Sequence, residues 1–355
     1  MLQVLLLIIS SLFISAPVLA FEFHSSARDH INVVGSSTVY PFAATIAEEF
    51  GRASKIKNSK NKFEKSFKTP IVESTGTGGG FKLFCSGIGY SYPDFSDASR
   101  PIEKSEIEKC HEHGINGIVE IKIGYDGIVL ANSITGKKYS LTKKQIFLAL
   151  AAQIPDPKTG KLIDNFYQKW REIDVNLPDV NITIYGPPST SGTRDAFVEL
   201  VMEEPCMAMA EFNLAFGDKK IRQKKCHLIR SDGKFIEAGE NDNLIVQKLK
   251  NDVDALGIFG FSFLEENHQA IQPALINNVA PSFENIASSR YKVSRPLFIY
   301  FKKEHLDLIP GMREFIKEII SSDTIGFDGY LLQKGLIPLT NLEIKKVRGE
   351  VMQNL

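Results

Sequence analysis

Ile31-Asn32-Val33-Val34-Gly35-Ser36-Ser37-Thr38-Val39-Tyr40-Pro41-Phe42-Ala43-Ala44-Thr45-Ile46-Ala47-Glu48-Glu49-Phe50 holds the fold in miniature. Its first four residues are a β-rich run, closed by a turn of Gly, Ser and Thr. Beyond the turn, Val39, Phe42, Ala43, Ile46, Ala47 and Phe50 recur at the helical period. Ser37 or Thr38 can cap that helix, and Pro41 is tolerated because it falls in the first turn. The unit is a strand, a polar turn and a helix.

The same grammar recurs along the chain. Residues 70–74 read as a strand leading into Thr75-Gly76-Thr77-Gly78-Gly79-Gly80 and a helix-like 81–84. Residues 181–185 lead through the Gly/Pro/Ser-rich stretch 186–192 into a helix over 193–200. Further strands are expected at 118–123, 127–131, 258–263 and 296–301, and helices at 142–153 and 311–322. Alternating elements predict an α/β architecture, and 355 residues suffice for two lobes. Residues 55–68, rich in Lys, Asn and Ser, are expected as a solvated surface loop.

Composition narrows the function. A chain that is 43% hydrophobic and 24% charged is neither disordered nor a coiled-coil fibre. Its 42 basic residues balance 42 acidic ones, so no net charge draws it to nucleic acid. Residues 1–20 carry no charged side chain and close on Ala16-Pro17-Val18-Leu19-Ala20. They read as a cleaved signal peptide, which predicts a mature chain starting near Phe21 and an exported protein. No other apolar run is long enough for a polytopic membrane protein. The four cysteines, Cys85, Cys110, Cys206 and Cys226, then suggest disulfides. Neighbours pair most simply as Cys85–Cys110 and Cys206–Cys226, one of three possible connectivities. Metal binding is the rival reading, with His111, His113 and His227 nearby, but no Cys-x-x-Cys spacing supports it.

Polar turns at 35–38, 75–80 and 189–193 stand where helices begin. A helix N-terminus exposes unpaired N–H groups and the positive end of the macrodipole. Ser and Thr add hydroxyl donors, and Gly lets backbone approach an anion. One such turn is an ordinary cap, whereas three, with Arg100 and Arg194 beside comparable turns, predict an oxyanion site. Nucleotide motifs fail: Gly80 is followed by Phe81-Lys82-Leu83, which matches neither a P-loop nor a dinucleotide fingerprint. Ser191 lies in no Gly-x-Ser-x-Gly elbow, and the His residues form no His-Glu-x-x-His pattern. An enzyme is therefore not expected.

Gly35-Ser36-Ser37-Thr38-Val39-Tyr40-Pro41-Phe42, Gly76-Thr77-Gly78-Gly79-Gly80, Ala98-Ser99-Arg100-Pro101-Ile102 and Ser191-Gly192-Thr193-Arg194 occur in that order. Together they resemble the periplasmic phosphate-binding proteins of ABC importers, over roughly residues 31–340. The resemblance implies a two-lobed periplasmic-binding-protein (Venus-flytrap) fold hinged over one phosphate ion. It implies a first lobe of residues 31–125 and 292–345 and a second of 126–291, with crossings near 124–127 and 291–296. It also implies an extracytoplasmic, periplasmic receptor without cofactor that hands inorganic phosphate to ABC permease subunits, and a monomer is expected.

Carried over residue by residue, the resemblance makes Ser37 and Thr38 first-turn donors with Ser36 adjacent. Thr77 becomes a second-turn donor, and Ser191, Gly192 and Thr193 the donors at a second-lobe helix. Two positions depart from the family. An Arg that pairs with phosphate in some members is Pro187 here, which makes Arg100 and Arg194 the candidate replacements. An Asp that accepts the ligand's proton in some members is Ser99 here, and Asp126 is the expected substitute. The alternatives are a receptor for another tetrahedral oxyanion (sulfate, phosphite or arsenate), an extracytoplasmic phosphate-ester hydrolase, and a surface or signalling protein that feeds no transporter.

Overall fold

A computed structural model describes residues 28–60, 67–239 and 242–355. The expected signal peptide and Glu240-Asn241 lie outside the described residues. The opening unit forms as read: strand Asn32–Gly35, then helix Tyr40–Lys60. Val33, Val34, Val39, Phe42, Ala43, Ile46, Ala47 and Phe50 are all buried, so the helical stripe is the face laid on the sheet. The helix runs further than expected. Residues 55–60 of the anticipated loop belong to it, because no Gly or Pro interrupts the chain between Arg52 and Lys60. Phe67 then stacks on Phe50 with ring centroids 5.9 Å apart.

Among the described residues the main sheet has nine strands. Ile71–Ser74, Asn32–Gly35 and Phe95–Ala98 pair in parallel on one side. Ser294–Lys302 joins Phe95–Ala98 antiparallel and then pairs with Ile118–Ser133. On the other side Leu256–Gly260, Ile184–Gly186 and Phe235–Glu237 continue the sheet, with Ile271–Pro273 beside the long strand. Helices lie between the strands in sequence, and the whole is a mixed α/β fold.

The sequence predicts two strands where the structure has one. Ile118–Ser133 runs unbroken for 16 residues. It pairs with Ser294–Lys302 up to Gly127 and with Leu256–Gly260 from Ile128 onward. Asp126 and Gly127, at the expected crossing, are extended backbone here, paired with Arg295 and Ser294 of the neighbouring strand. Other boundaries shift as well, among them those of the helices expected at 142–153 and 311–322, which are Lys143–Leu150 and Met312–Ile319. The strand expected at 181–185 is Ile184–Gly186, and that expected at 258–263 ends at Gly260, where helix Phe261–Glu266 starts. The helix expected over 193–200 is Gly192–Phe197, followed by a π-helical turn, Val198–Glu203. Pro205 follows that turn, and its missing N–H cannot continue an ordinary ladder.

Helix Thr77–Phe84 packs closely on the first strand through Gly80. A Cβ there would lie 2.6 Å from the Cα of Gly35, closer than real carbon contacts. The two cysteine pairs are joined as Cys85–Cys110 and Cys206–Cys226, and all four residues are buried. The second bridge fastens helix Lys219–Cys226 to helix Glu204–Ala208. Among the described residues no helix is long and apolar enough to cross a membrane.

Replacing Cys206 and Cys226 together by Ala should lower unfolding stability by about 3 kcal/mol, the loop-closure term for a bridge of this span. Denaturant titration of the double variant measures it, and an unchanged midpoint would show that packing alone holds the two helices.

Candidate functional site

Each polar turn begins where a strand ends. After Gly35, the Ser36 N–H donates to the Asp97 carbonyl at 3.1 Å, and Ser36 Oγ accepts the Thr38 N–H at 3.2 Å. These bonds hold Ser36 and Thr38 in a buried turn. Thr77 opens helix Thr77–Phe84, and its Oγ1 accepts the Ser99 N–H at 3.2 Å and faces Ser99 Oγ at 3.2 Å. The second turn is thereby tied to the segment after strand Phe95–Ala98. Ser191 caps helix Gly192–Phe197, accepting the Thr193 N–H at 3.2 Å.

That last turn lies against the first. A Cβ on Gly192 would stand 3.3 Å from the Ser37 carbonyl oxygen and 3.4 Å from Thr38 Cα. Ser37 Oγ donates across the same junction to Asp195 Oδ2 at 3.2 Å. Residues separated by more than 150 positions in sequence are thus brought together.

A cleft of about 790 Å³ opens beside this junction. One wall is made by Ser36–Thr38, Gly76–Gly78, Ser99–Pro101, Arg295 and Pro296. The other is made by Glu199, Leu200, Glu203, Lys220, Gln223, Lys224 and His227. Of the residues expected from sequence, Ser36, Ser37, Thr38, Thr77, Ser99 and Arg100 line it. Ser191, Gly192, Thr193, Arg194 and Asp126 do not, although Gly192 touches the turn that does.

The central cation is one that the sequence reading missed. Arg295 is 9% exposed and lines the cleft. Its Nη2 donates to Thr38 Oγ1 at 2.8 Å, its Nη1 to Glu199 Oε2 at 2.5 Å, and its Nε lies 3.7 Å from Asp126 Oδ2. Register places it there, since Arg295 stands directly opposite Asp126 in the antiparallel pair. The only trace in the sequence is an arginine before Pro296 at the start of a predicted strand.

The two arginines expected to meet the ligand have other partners. Arg100 forks onto Glu106, with bonds of 2.7 and 2.9 Å, while its flank still lines the cleft. Arg194 lies over the Phe235 ring, 4.3 Å from its centroid, and donates to the Pro187 carbonyl at 3.2 Å. Its aromatic and carbonyl partners account for its turning from the cleft. Asp126 faces Arg295, and burial raises its pKa against the lowering pull of that guanidinium. On the opposite wall Glu203 accepts from Gln223 Nε2 at 2.9 Å and meets His227 Nε2 at 2.8 Å. No group of His, Cys, Asp and Glu among the described residues could hold a metal.

Asp97 sits behind the first turn, fully buried on the strand that meets Gly35. Burial pushes its carboxyl up to about 8, and the Ser36 amide pulls it only partly back. The folded protein therefore keeps the proton between about 4 and about 8, whereas the unfolded chain has released it. Bound protons then favour the native state at low pH, so this group's contribution to stability falls as pH rises through that window. Asp97→Asn should remove the slope, so its stability relative to the parent should grow from pH 4 to pH 8 in denaturant titrations. Parallel pH profiles would contradict the burial argument.

Comparison with known proteins agrees with this geometry. A family model described as a PBP superfamily domain matches residues 22–323. The protein SphX of Synechococcus elongatus is 30% identical over 286 residues, covering 79% of this chain and 70% of its own. The phosphate-binding protein PstS of Staphylococcus saprophyticus is 29% identical over 306 residues, covering 82% and 78%. Among solved structures, a possible phosphate binding protein from Planctomyces limnophilus superposes with a TM-score of 0.70 at 28% identity, over 93% of this chain and all of its own. PstS from Borrelia burgdorferi shares the fold, with a TM-score of 0.57 at 18% identity over 88% of this chain and all of its own. The strand–turn–helix units, the convergent turns and the family match have one conclusion: the chain belongs to the PBP superfamily.

Proposed function

We propose that the protein is an extracytoplasmic receptor that captures inorganic phosphate in this cleft and delivers it to an ABC importer. The observation that carries the reading is one cleft lined together by two hydroxyl-bearing turns, Ser99 and the buried guanidinium of Arg295. Ser36, Ser37, Thr38, Thr77 and Ser99 supply short donors, and Arg295 supplies a fork matched to phosphate oxygens. The relatives named phosphate-binding protein PstS support the ligand. Residues 31–125 with 292–345 form one lobe in this reading, and 126–291 the other. Ser191, Gly192 and Thr193 belong to the second lobe and close on the ligand from the Ser37 side, where Gly192 already packs.

Arg295 takes the part that the sequence reading gave to Arg100 and Arg194. Asp126 acts through it as a positioning residue, from the neighbouring strand. The work of such a site is binding and closure, without a covalent step. Residues 1–20 serve as the export signal, so the mature N-terminus is Phe21, and the receptor acts in the periplasm as a monomer.

Calorimetric titration of the phosphate-stripped mature protein tests the reading. One phosphate should bind per chain, and sulfate and phosphite should bind less tightly. Thr38→Val removes one hydroxyl at the guanidinium and should weaken phosphate about tenfold, the equivalent of one charge-assisted hydrogen bond. A protein silent toward phosphate, or one that binds sulfate equally well, would overturn the assignment of ligand.

A further inference from the structure

Arg295 is held by three groups, and they are not alike. Thr38 is buried in its turn, and Asp126 is fixed on the adjoining strand with a side chain only 16% exposed. Glu199 comes from the other wall, from the π-helical turn Val198–Glu203, and its side chain is 48% exposed. It is the partner that can leave without unburying anything else. Its carboxylate also occupies Nη1, a donor that an incoming oxyanion needs.

A carboxylate and a phosphate present the same chemistry to a guanidinium: paired anionic oxygens spaced for its parallel N–H groups. Glu199 is thus an internal stand-in for the ligand. Glu203, on the same wide turn, is different because Gln223 and His227 both engage its carboxylate on its own wall. A wide turn of i→i+5 bonds is a local departure often found where function re-aims side chains.

We propose that Glu199 is a displaceable counter-ion of Arg295, and that a ligand enters by exchanging its oxyanion for this carboxylate. The inference rests on the phosphate-receptor reading and adds a threshold to it. An anion is retained only when it wins the guanidinium from Glu199, so weak anions such as chloride are excluded although the cleft is lined with donors. The exchange also frees the ion pair joining the two walls, which ties occupancy of the site to their relative motion.

The test is calorimetry of the mature, full chain with inorganic phosphate, comparing the parent with Glu199→Gln, Glu199→Ala and the control Glu204→Gln, whose carboxylate pairs with Lys143 and does not line the cleft. Circular dichroism confirms folding, which a half-exposed side chain should not compromise. Both Glu199 variants should bind phosphate about tenfold more tightly, because no competitor has to be displaced, while Glu204→Gln should stay near the parent. Tighter binding in all three variants would mean a general relief of negative charge and would overturn the exchange. So would a parent that binds phosphate and Glu199 variants that bind it equally or more weakly, since Glu199 would then be a bystander or a donor-orienting group. If neither the parent nor any variant binds phosphate, the receptor reading itself fails.

Discussion

The antiparallel pairing of Ser294–Lys302 with Ile118–Ser133 is the constraint from which the site follows. It sets Arg295 opposite Asp126, so a guanidinium that would be costly to bury alone is buried beside a carboxylate. The same long strand continues past Gly127 to pair with Leu256–Gly260, and it therefore belongs to both halves of the sheet. The buried cation of the cleft is anchored where the long strand changes partners. A one-residue slip in this pairing would turn Arg295 to the opposite face and leave Thr38 without its donor.

Around that point the site is built by repetition of one local device. A strand ends, a turn of small hydroxylated residues follows, and a helix begins. Each turn satisfies part of its own hydrogen bonding internally, as Ser36 does for Thr38 and Ser191 for Thr193. Thr77 and Ser99 lock two turns together. Hydrogen bonds within and between the turns fix the positions of their donors, so little reorganisation is needed to meet an anion. The bracing continues outward through Gly80, where backbone meets backbone, and through the Cys206–Cys226 bridge.

The arginines of the site are matched by carboxylates of the protein itself. Arg295 faces two carboxylates, and Arg100 is paired with Glu106. Lys220 and Lys224 add positive charge to the lining, while its arginines are matched by carboxylates. In the proposed site, short-range donors and the exchange of partners at one guanidinium therefore carry the selectivity.

The sequence by itself determined the local units and the chemistry of their turns. Val39, Phe42, Ile46 and Phe50 announce a helix because one face must be buried, and Gly35 to Thr38 announce a turn because apolar periodicity stops there. The cysteine pairing was legible as well, since partners close in sequence bridge with short loops. Tertiary structure alone decided which charged groups meet. Arg100 and Arg194 looked suitable from their neighbours in sequence, yet Glu106 and Phe235 hold them through contacts that spacing does not reveal. Arg295 and Glu199 are 96 residues apart and gave no joint signal. The physical reason is that a strand's hydrogen-bonding partners, and so the groups opposite each side chain, are set by long-range register. Apolar periodicity reports only which face is buried.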